Sequence, residues 1–212
     1  MSLTIYFLRH GETDSSKSDG FCGELNPDLT PSGKEMAEAF AKVYKSIAWK
    51  AIFVSPMKRT IATAKPLCET IGMAMQIRDG LKEMNFGEWE GKSKEEVKQE
   101  YLEDYFNWMT EPAWNAPTRG ETATEVASRA SLVLAEIQQN YSSGNVLVVA
   151  HKSTIRIVLS SLLGMDIGRY RDRIDMPVAS ISIVKLDLHG PLLQVLCDRY
   201  HLPEHLRNLP GT

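Results

Sequence analysis

No apolar stretch in the sequence approaches the length of a membrane span. The opening Met-Ser-Leu-Thr-Ile-Tyr-Phe-Leu has neither a basic lead nor a small-residue cleavage signal, so the expectation is a protein of the cytoplasm, with no membrane contact. Cysteine is scarce. Cys22, Cys68 and Cys197 are an odd number without metal-type spacing, which fits reduced thiols rather than a disulfide framework. Neither sign of charge prevails: a net charge of -3 offers no basic surface for nucleic acid. Internal repeats and low-complexity segments are absent as well.

What is present is an ordinary globular composition. The 212 residues are 43% hydrophobic and 24% charged, enough for one domain over 1–212 with a single large core. The apolar runs are short, and the residues after each of them are informative. Leu3-Thr4-Ile5-Tyr6-Phe7-Leu8 has the length of a buried strand and leads directly into Arg9-His10-Gly11-Glu12-Thr13. Ala51-Ile52-Phe53-Val54 reads as a second strand, with Ser55-Pro56 as cap and first turn of a helix carrying Arg59. Met75 to Arg78 reads as a short strand with Glu83 a few residues on, and Val146 to Ala150 is the clearest buried strand, followed at once by His151. Ligands bind at strand ends in a parallel α/β sheet, so Arg9 with His10, Arg59, Glu83 and His151 are expected in one place.

Other segments frame that place. A polar loop is expected from Asp14 to Asn26, then a helix capped by Thr30, started by Pro31 and running to about Ile47, with Ala37, Phe40, Ala41 and Tyr44 against the sheet. Pro66 is expected to bend the second helix and Gly72 to close it. Lys92 to Thr110 is acidic and helical, with Val97, Tyr101, Tyr105 and Trp108 on a packing stripe. With the loop from Glu111 to Arg119 it forms a candidate lid, an insertion at about 92–119. Glu121, ahead of a helix with Val126, Ala130, Val133 and Ile137, reads as a partner of the helix dipole. Gly168 to Asp175 alternates arginine with acid and reads as a solvated segment, bordering the site or forming a contact between copies in a homodimer. Ala179 to Leu188 and Leu192 to Arg199 read as a hairpin, which makes the sheet mixed. His201 and His205 have zinc-pair spacing, but Pro203 lies between them and no third ligand is near.

Two guanidinium groups beside two imidazoles suit a small phosphorylated metabolite. A neutral His10 can attack phosphorus in line, giving a phosphohistidine that water then hydrolyses, while the cations stabilise the transferring group. Glu83 would protonate the leaving alkoxide and afterwards deprotonate the water. Two histidines and a glutamate also make a zinc-type set. A dication does not settle between Arg9 and Arg59, however, so neither a metal nor another cofactor is expected.

Several of these motifs, in this order, resemble the histidine phosphatase superfamily, which includes the cofactor-dependent phosphoglycerate mutases. Arg9-His10-Gly11-Glu12-Thr13 resembles its signature, Phe21-Cys22-Gly23 through Gly33 its substrate loop and first helix, and Ser55-Pro56 with Arg59 and Thr63-Ala64 its second motif. Leu81, Glu83, Phe86-Gly87 and Trp89-Glu90-Gly91 are similar to its proton-donor motif, and Gly120-Glu121 and Val149-Ala150-His151 to later ones. The resemblance implies a three-layer α/β/α sandwich, His10 as the phosphorylated residue, Glu83 as proton donor and acceptor, and Arg9, Arg59 and His151 as phosphate ligands. Ser16, Cys22, Gly23 and Lys152 join them as substrate-binding candidates.

Met84-Asn85-Phe86-Gly87 is similar to the phosphatase branch, which includes α-ribazole phosphatases, where the mutases carry Arg-His-Tyr-Gly. Hydrolysis is therefore expected, with α-ribazole 5'-phosphate as a candidate substrate. A mutase needing a bisphosphorylated primer and a non-catalytic phosphate-binding protein are the alternatives. Ser16 stands where the family often has asparagine, Gly20 where many members have a cation, and Lys152 where glycine usually follows the second histidine. Trp89, Trp108 and Trp114 read first as packing and second as stacking surfaces for a substrate.

Overall fold

The short apolar runs become strands, and their alternation divides the core between two faces. A computed structural model of the chain describes residues 2–18 and 20–209; the expectations for Met1, Asp19 and residues 210–212 lie outside them. The strands are β1 (Leu3–Arg9), β2 (Trp49–Val54), β3 (Met75–Ile77), β4 (Gly144–Ala150), β5 (Ile181–Asp187) and β6 (Gly190–Asp198). The longer helices are α2 (Pro31–Tyr44), α3 (Lys58–Ile71), α6 (Ala123–Asn140) and α7 (Lys152–Leu162), and the shorter ones α1 (Asp14–Lys17), α4 (Lys94–Glu100), α5 (Leu102–Thr110), α8 (Tyr170–Arg173) and α9 (Glu204–Arg207).

Ile5, Phe7, Phe53, Val146 and Val148 face α6 and α7, meeting Val133, Ile137, Val158 and Leu159. Leu8, Ile52, Val54, Leu147 and Val149 face α2 and α3, meeting Phe40, Ala41, Ala64 and Leu67. The sheet runs β3-β2-β4-β1-β5-β6, parallel through its first four strands and antiparallel at β5 and β6. This is the expected three-layer α/β/α sandwich with a mixed, mostly parallel sheet. Arg9 pairs with Ala150 and Val54 with Val149, so β1, β2 and β4 end in one row.

Several local expectations differ from the structure. The segment after Gly11 is not loop throughout: Thr13 and Ser16 form a reciprocal capping box that nucleates α1. α2 ends at Tyr44 rather than near Ile47. Met57, not Ser55, occupies the N-cap of α3, and that helix continues through Pro66 to Ile71, where Gly72 closes it with φ 67°. Lys92 to Thr110 is two helices, α4 and α5, broken at Tyr101. Their Val97, Tyr105 and Trp108 pack with Phe21, Phe86 and Trp89 in a third cluster. Trp89 and Trp108 are thus buried, whereas Trp114 is 74% exposed. The 168–175 segment is not simply solvated either, because Tyr170 of α8 is buried beneath the same cluster.

His201 is buried against Phe40 and Tyr44, while the exposed His205 pairs with Glu35, so the two histidines face different surroundings. Among the described residues no helix is long and apolar enough to cross a membrane.

Candidate active site

The loops leaving the aligned strand ends converge on His10. Its amide donates to the Ala150 carbonyl and its carbonyl accepts from the Ala179 amide, which pins this backbone between β4 and the approach to β5. The Gly11 amide donates to Thr63 Oγ1 at 2.9 Å and Thr63 donates to the Arg59 carbonyl, tying the turn to α3. His10 Nδ1 lies 2.8 Å from the Gly11 carbonyl oxygen. A carbonyl only accepts, so Nδ1 carries the proton and Nε2 the lone pair. Burial, followed by the charges of Arg59 and Arg9, pushes this imidazole well below its ordinary range and keeps it neutral.

Arg9 is held by the Met176 carbonyl, to which Nη1 donates at 2.5 Å. Burial lowers its pKa to about 9 against the opposing pull of Glu83, and it stays charged at neutral pH. Arg59, one turn into α3, reaches back over the strand ends. Its Nε donates to His151 Nδ1 at 3.2 Å, Nη1 to the Leu25 carbonyl at 2.6 Å and Nη2 to the Gly23 carbonyl at 2.9 Å. Gly23 has φ 49°, and a Cβ there would collide with Glu90 Oε1, so only glycine presents this carbonyl without rearrangement.

His151 stands at the N-cap of α7 and is fully buried. Because Arg59 can only donate to its Nδ1, Nε2 carries the proton and donates to Ser55 Oγ at 2.7 Å. Ser55 is therefore used to orient His151, not to start α3. The two histidine rings lie 5.3 Å apart. Burial first, then Arg59, keeps His151 neutral too.

Glu83 reaches the same pocket from beyond β3. Its Oε1 accepts from the amides of Met84 at 3.0 Å and Thr154 at 3.2 Å, and Oε2 from the Ser153 amide at 3.2 Å, so the carboxylate caps the first turn of α7. Arg129 clamps the Glu83 segment, donating to the carbonyls of Gly80, Lys82 and Glu83 while pairing with Glu121 at 2.8 Å. Glu121 also accepts from the Asn85 amide at 2.9 Å. It braces this loop and does more than complement a helix dipole.

Arg9, His10, Ser16, Cys22, Gly23, Arg59, Glu83 and Lys152 line one cavity of about 390 Å³, a volume suited to a small metabolite. His151 is the one expected site residue that stands behind this wall rather than on it. Cys22 faces the cavity as a neutral thiol whose pKa burial raises. Burial, reinforced by Arg9 and Arg156, lowers the Lys152 ammonium to about 8. Gly20 lines the cavity with no side chain and lies close against the Lys92 carbonyl. Among the described residues no three His, Cys, Asp or Glu side chains cluster as a metal site would require.

One lining arginine escaped the sequence reading: Arg156 follows Lys152 by one helical turn, a spacing that carried the signal. Arg171 belongs to the 168–175 segment expected to border the site, and it does so from α8, stacking on Trp108 at 3.8 Å and donating to the Met109 carbonyl. α5 supplies Tyr105, Trp108 and Met109 to the same cavity.

A site of this make-up has counterparts. The phosphoserine phosphatase 1 of Hydrogenobacter thermophilus is 28% identical over 202 residues, 95% of each chain. The adenosylcobalamin/alpha-ribazole phosphatase of Escherichia coli is 26% identical over 163 residues, 77% of this chain and 80% of its own. The solved structure of a mycobacterial glucosyl-3-phosphoglycerate phosphatase superposes with a TM-score of 0.85 at 24% identity, covering 94% of this chain and 100% of the other, a likeness of fold. The family model of the histidine phosphatase superfamily (branch 1) matches residues 5–199, nearly the whole sheet and every loop that meets at the cavity, and the chain belongs to that family as one of its phosphatases.

Proposed function

We propose that this phosphatase hydrolyses a small phosphomonoester by two successive in-line transfers, through a phosphohistidine on His10 and without a metal. The proton position on His10 carries the reading: with Nδ1–H donated to the Gly11 carbonyl, the Nε2 lone pair is free for phosphorus. The Glu83 carboxylate first takes up a proton from solvent; Nε2 then attacks, the bond between phosphorus and the ester oxygen breaks, and Glu83 passes that proton to the departing alkoxide. Water then loses a proton to Glu83 and attacks the phosphohistidine, the P–N bond breaks, and inorganic phosphate leaves. Arg9 and Arg59 balance the phosphoryl charge throughout.

His151 takes part when a phosphoryl oxygen arriving beside Arg59 replaces His151 Nδ1 as the partner of the Arg59 Nε–H. The proton of the monoanionic ester is then shared between that oxygen and His151 Nδ1, while Nε2 keeps its own proton, donated to Ser55 Oγ. Ser16, Cys22, Gly23 and Lys152 bound the substrate, and α4 with α5 and residues 111–119 act as a lid.

Hydrolysis is favoured over mutase action by the names of the three relatives given above, each a phosphatase. α-Ribazole 5'-phosphate, phosphoserine and glucosyl-3-phosphoglycerate are the candidate substrates those names supply. Phosphate release from these compounds and p-nitrophenyl phosphate, with chelator present and with His10→Ala alongside, tests the reading. Chelator-resistant release that vanishes in the variant supports it; release that persists in the variant, or none from any substrate, sinks it.

A further inference from the structure

Arg156 has few acceptors around it for its charge. Its side chain lines the cavity and the residue is only 8% exposed. Its Nε is buried with no hydrogen-bond partner among the described residues. The carboxylate nearest it, Asp175, is 4.0 Å away and itself 95% exposed, which leaves water to compete for the pair. Arg171 shares the unpartnered Nε, but it donates to the carbonyls of Trp108 and Met109, as Arg59 donates to two carbonyls and His151 and Arg9 to the Met176 carbonyl; no hydrogen bond from Arg156 to a carbonyl is present among the described residues. A guanidinium withdrawn from water needs a close anion or a set of acceptors, and among the described residues Arg156 has only the long, exposed pair with Asp175.

Its neighbour strengthens the case. Lys152 and Arg156 are four apart on α7 and so lie on one face of its first turns. Both line the cavity, on the helix whose N-terminus holds the Glu83 carboxylate. In the mechanism proposed above Glu83 serves the leaving oxygen, and these two cations, which neighbour Glu83 as well as Arg9, lie where the phosphoryl pocket meets the leaving group. Among the described lining residues Arg171 is a further cation, and Glu83 and Asp172 are the carboxylates.

We infer that Lys152 and Arg156 form a second anion subsite, and that the substrate is a phosphomonoester whose alcohol portion carries a further carboxylate or phosphate. The inference rests on the phosphatase reading and narrows its substrate. It favours acidic phosphoesters over α-ribazole 5'-phosphate, whose leaving group has no second anion. A planar fork such as Arg156 matches either a carboxylate or a phosphate, and Lys152 adds a point charge beside it.

Matched pairs test this. Phosphate release is measured as kcat and KM for phosphoserine against phosphoethanolamine, which lacks the carboxylate, and for fructose 1,6-bisphosphate against fructose 6-phosphate, which lacks the second phosphate. p-Nitrophenyl phosphate is the reference for phosphatase action. The expected result is a preference of about tenfold or more for the acidic member of one pair, which also tells carboxylate from phosphate. That preference should collapse in Arg156→Gln and weaken in Lys152→Gln, through KM more than kcat. Should Arg156→Gln not fold, the wild-type ratios and Lys152→Gln carry the test. Equal hydrolysis within both pairs, or a preference that survives both substitutions, overturns the subsite while p-nitrophenyl phosphate turnover keeps the phosphatase reading intact. No release from any compound, the nitrophenyl ester included, overturns both.

Discussion

Arg59 Nε donates to His151 Nδ1 at 3.2 Å, so in the free protein the second histidine offers its lone pair to an arginine and its proton to Ser55. Burial first, and Arg59 second, keep this imidazole neutral, and the bond holds it in one orientation. Binding then exchanges one acceptor for a better, charged one.

Removing the attacking nitrogen should remove turnover and nothing else. His10→Ala is expected to lower kcat by more than about a thousandfold while the fold persists, since the ring's one local bond is to its neighbour's carbonyl. Acid-quenched labelling with radioactive substrate should place phosphate on the wild-type chain and none on the variant.

Glu83→Gln should discriminate between leaving groups. An alkyl phosphate leaves as a basic alkoxide and needs the proton, so kcat should fall by about 10²–10⁴. p-Nitrophenolate leaves unaided, and its first transfer should be much less affected. Comparing phosphoserine with p-nitrophenyl phosphate in one preparation checks this; equal losses would argue against proton transfer to the leaving oxygen.

The pH profile is set by burial. His10 and His151 are both depressed below the ordinary imidazole value of 6.5. The active neutral forms should therefore persist as pH falls through that value, and kcat/KM for p-nitrophenyl phosphate should show no inflection there. Stability has the opposite exposure: the unfolded imidazoles bind protons below about 6.5 and the folded ones resist, so Tm should fall as the medium is acidified from that point. His201, whose pKa burial lowers to about 4, adds to the same loss. On the alkaline side Lys152, flanked by Arg9, Arg156, Glu83 and Asp175, loses its charge at about 8, and KM for an acidic substrate should rise above it.

The brace beneath Glu83 should matter for both stability and rate. Arg129→Met removes the guanidinium bonds to the Gly80, Lys82 and Glu83 carbonyls and to the Glu121 carboxylate, leaving Lys82 with Thr154 and Glu121 with the Asn85 amide. Hydrogen bonds to a charged group of this kind contribute about 1.5–3 kcal/mol, visible in the urea midpoint. If kcat falls along with stability, the brace positions Glu83; a loss of stability alone would make it purely structural.

The sequence by itself determined the strands, most helices and the convergence of Arg9, His10, Arg59 and Glu83 on one cavity with His151 behind it. The reason is that these signals are local: β4 is a run of apolar residues of strand length, Thr30-Pro31 is a cap and first turn, and Arg9-His10, Arg59 and His151 each come just after a strand. A parallel sheet with aligned ends then brings them together. Only the tertiary structure decided the rest. Ser55 was free to cap a helix or hold an imidazole, and the fold placed His151 2.7 Å away. Glu121 looked like a dipole partner until α6 laid Arg129 against the Glu83 loop. The fold decided that the 168–175 segment borders the cavity, with Arg171 on its wall, and it brought Arg156 to the same lining. Such roles depend on which distant backbone or charge stands opposite, and no periodicity within a chain encodes that.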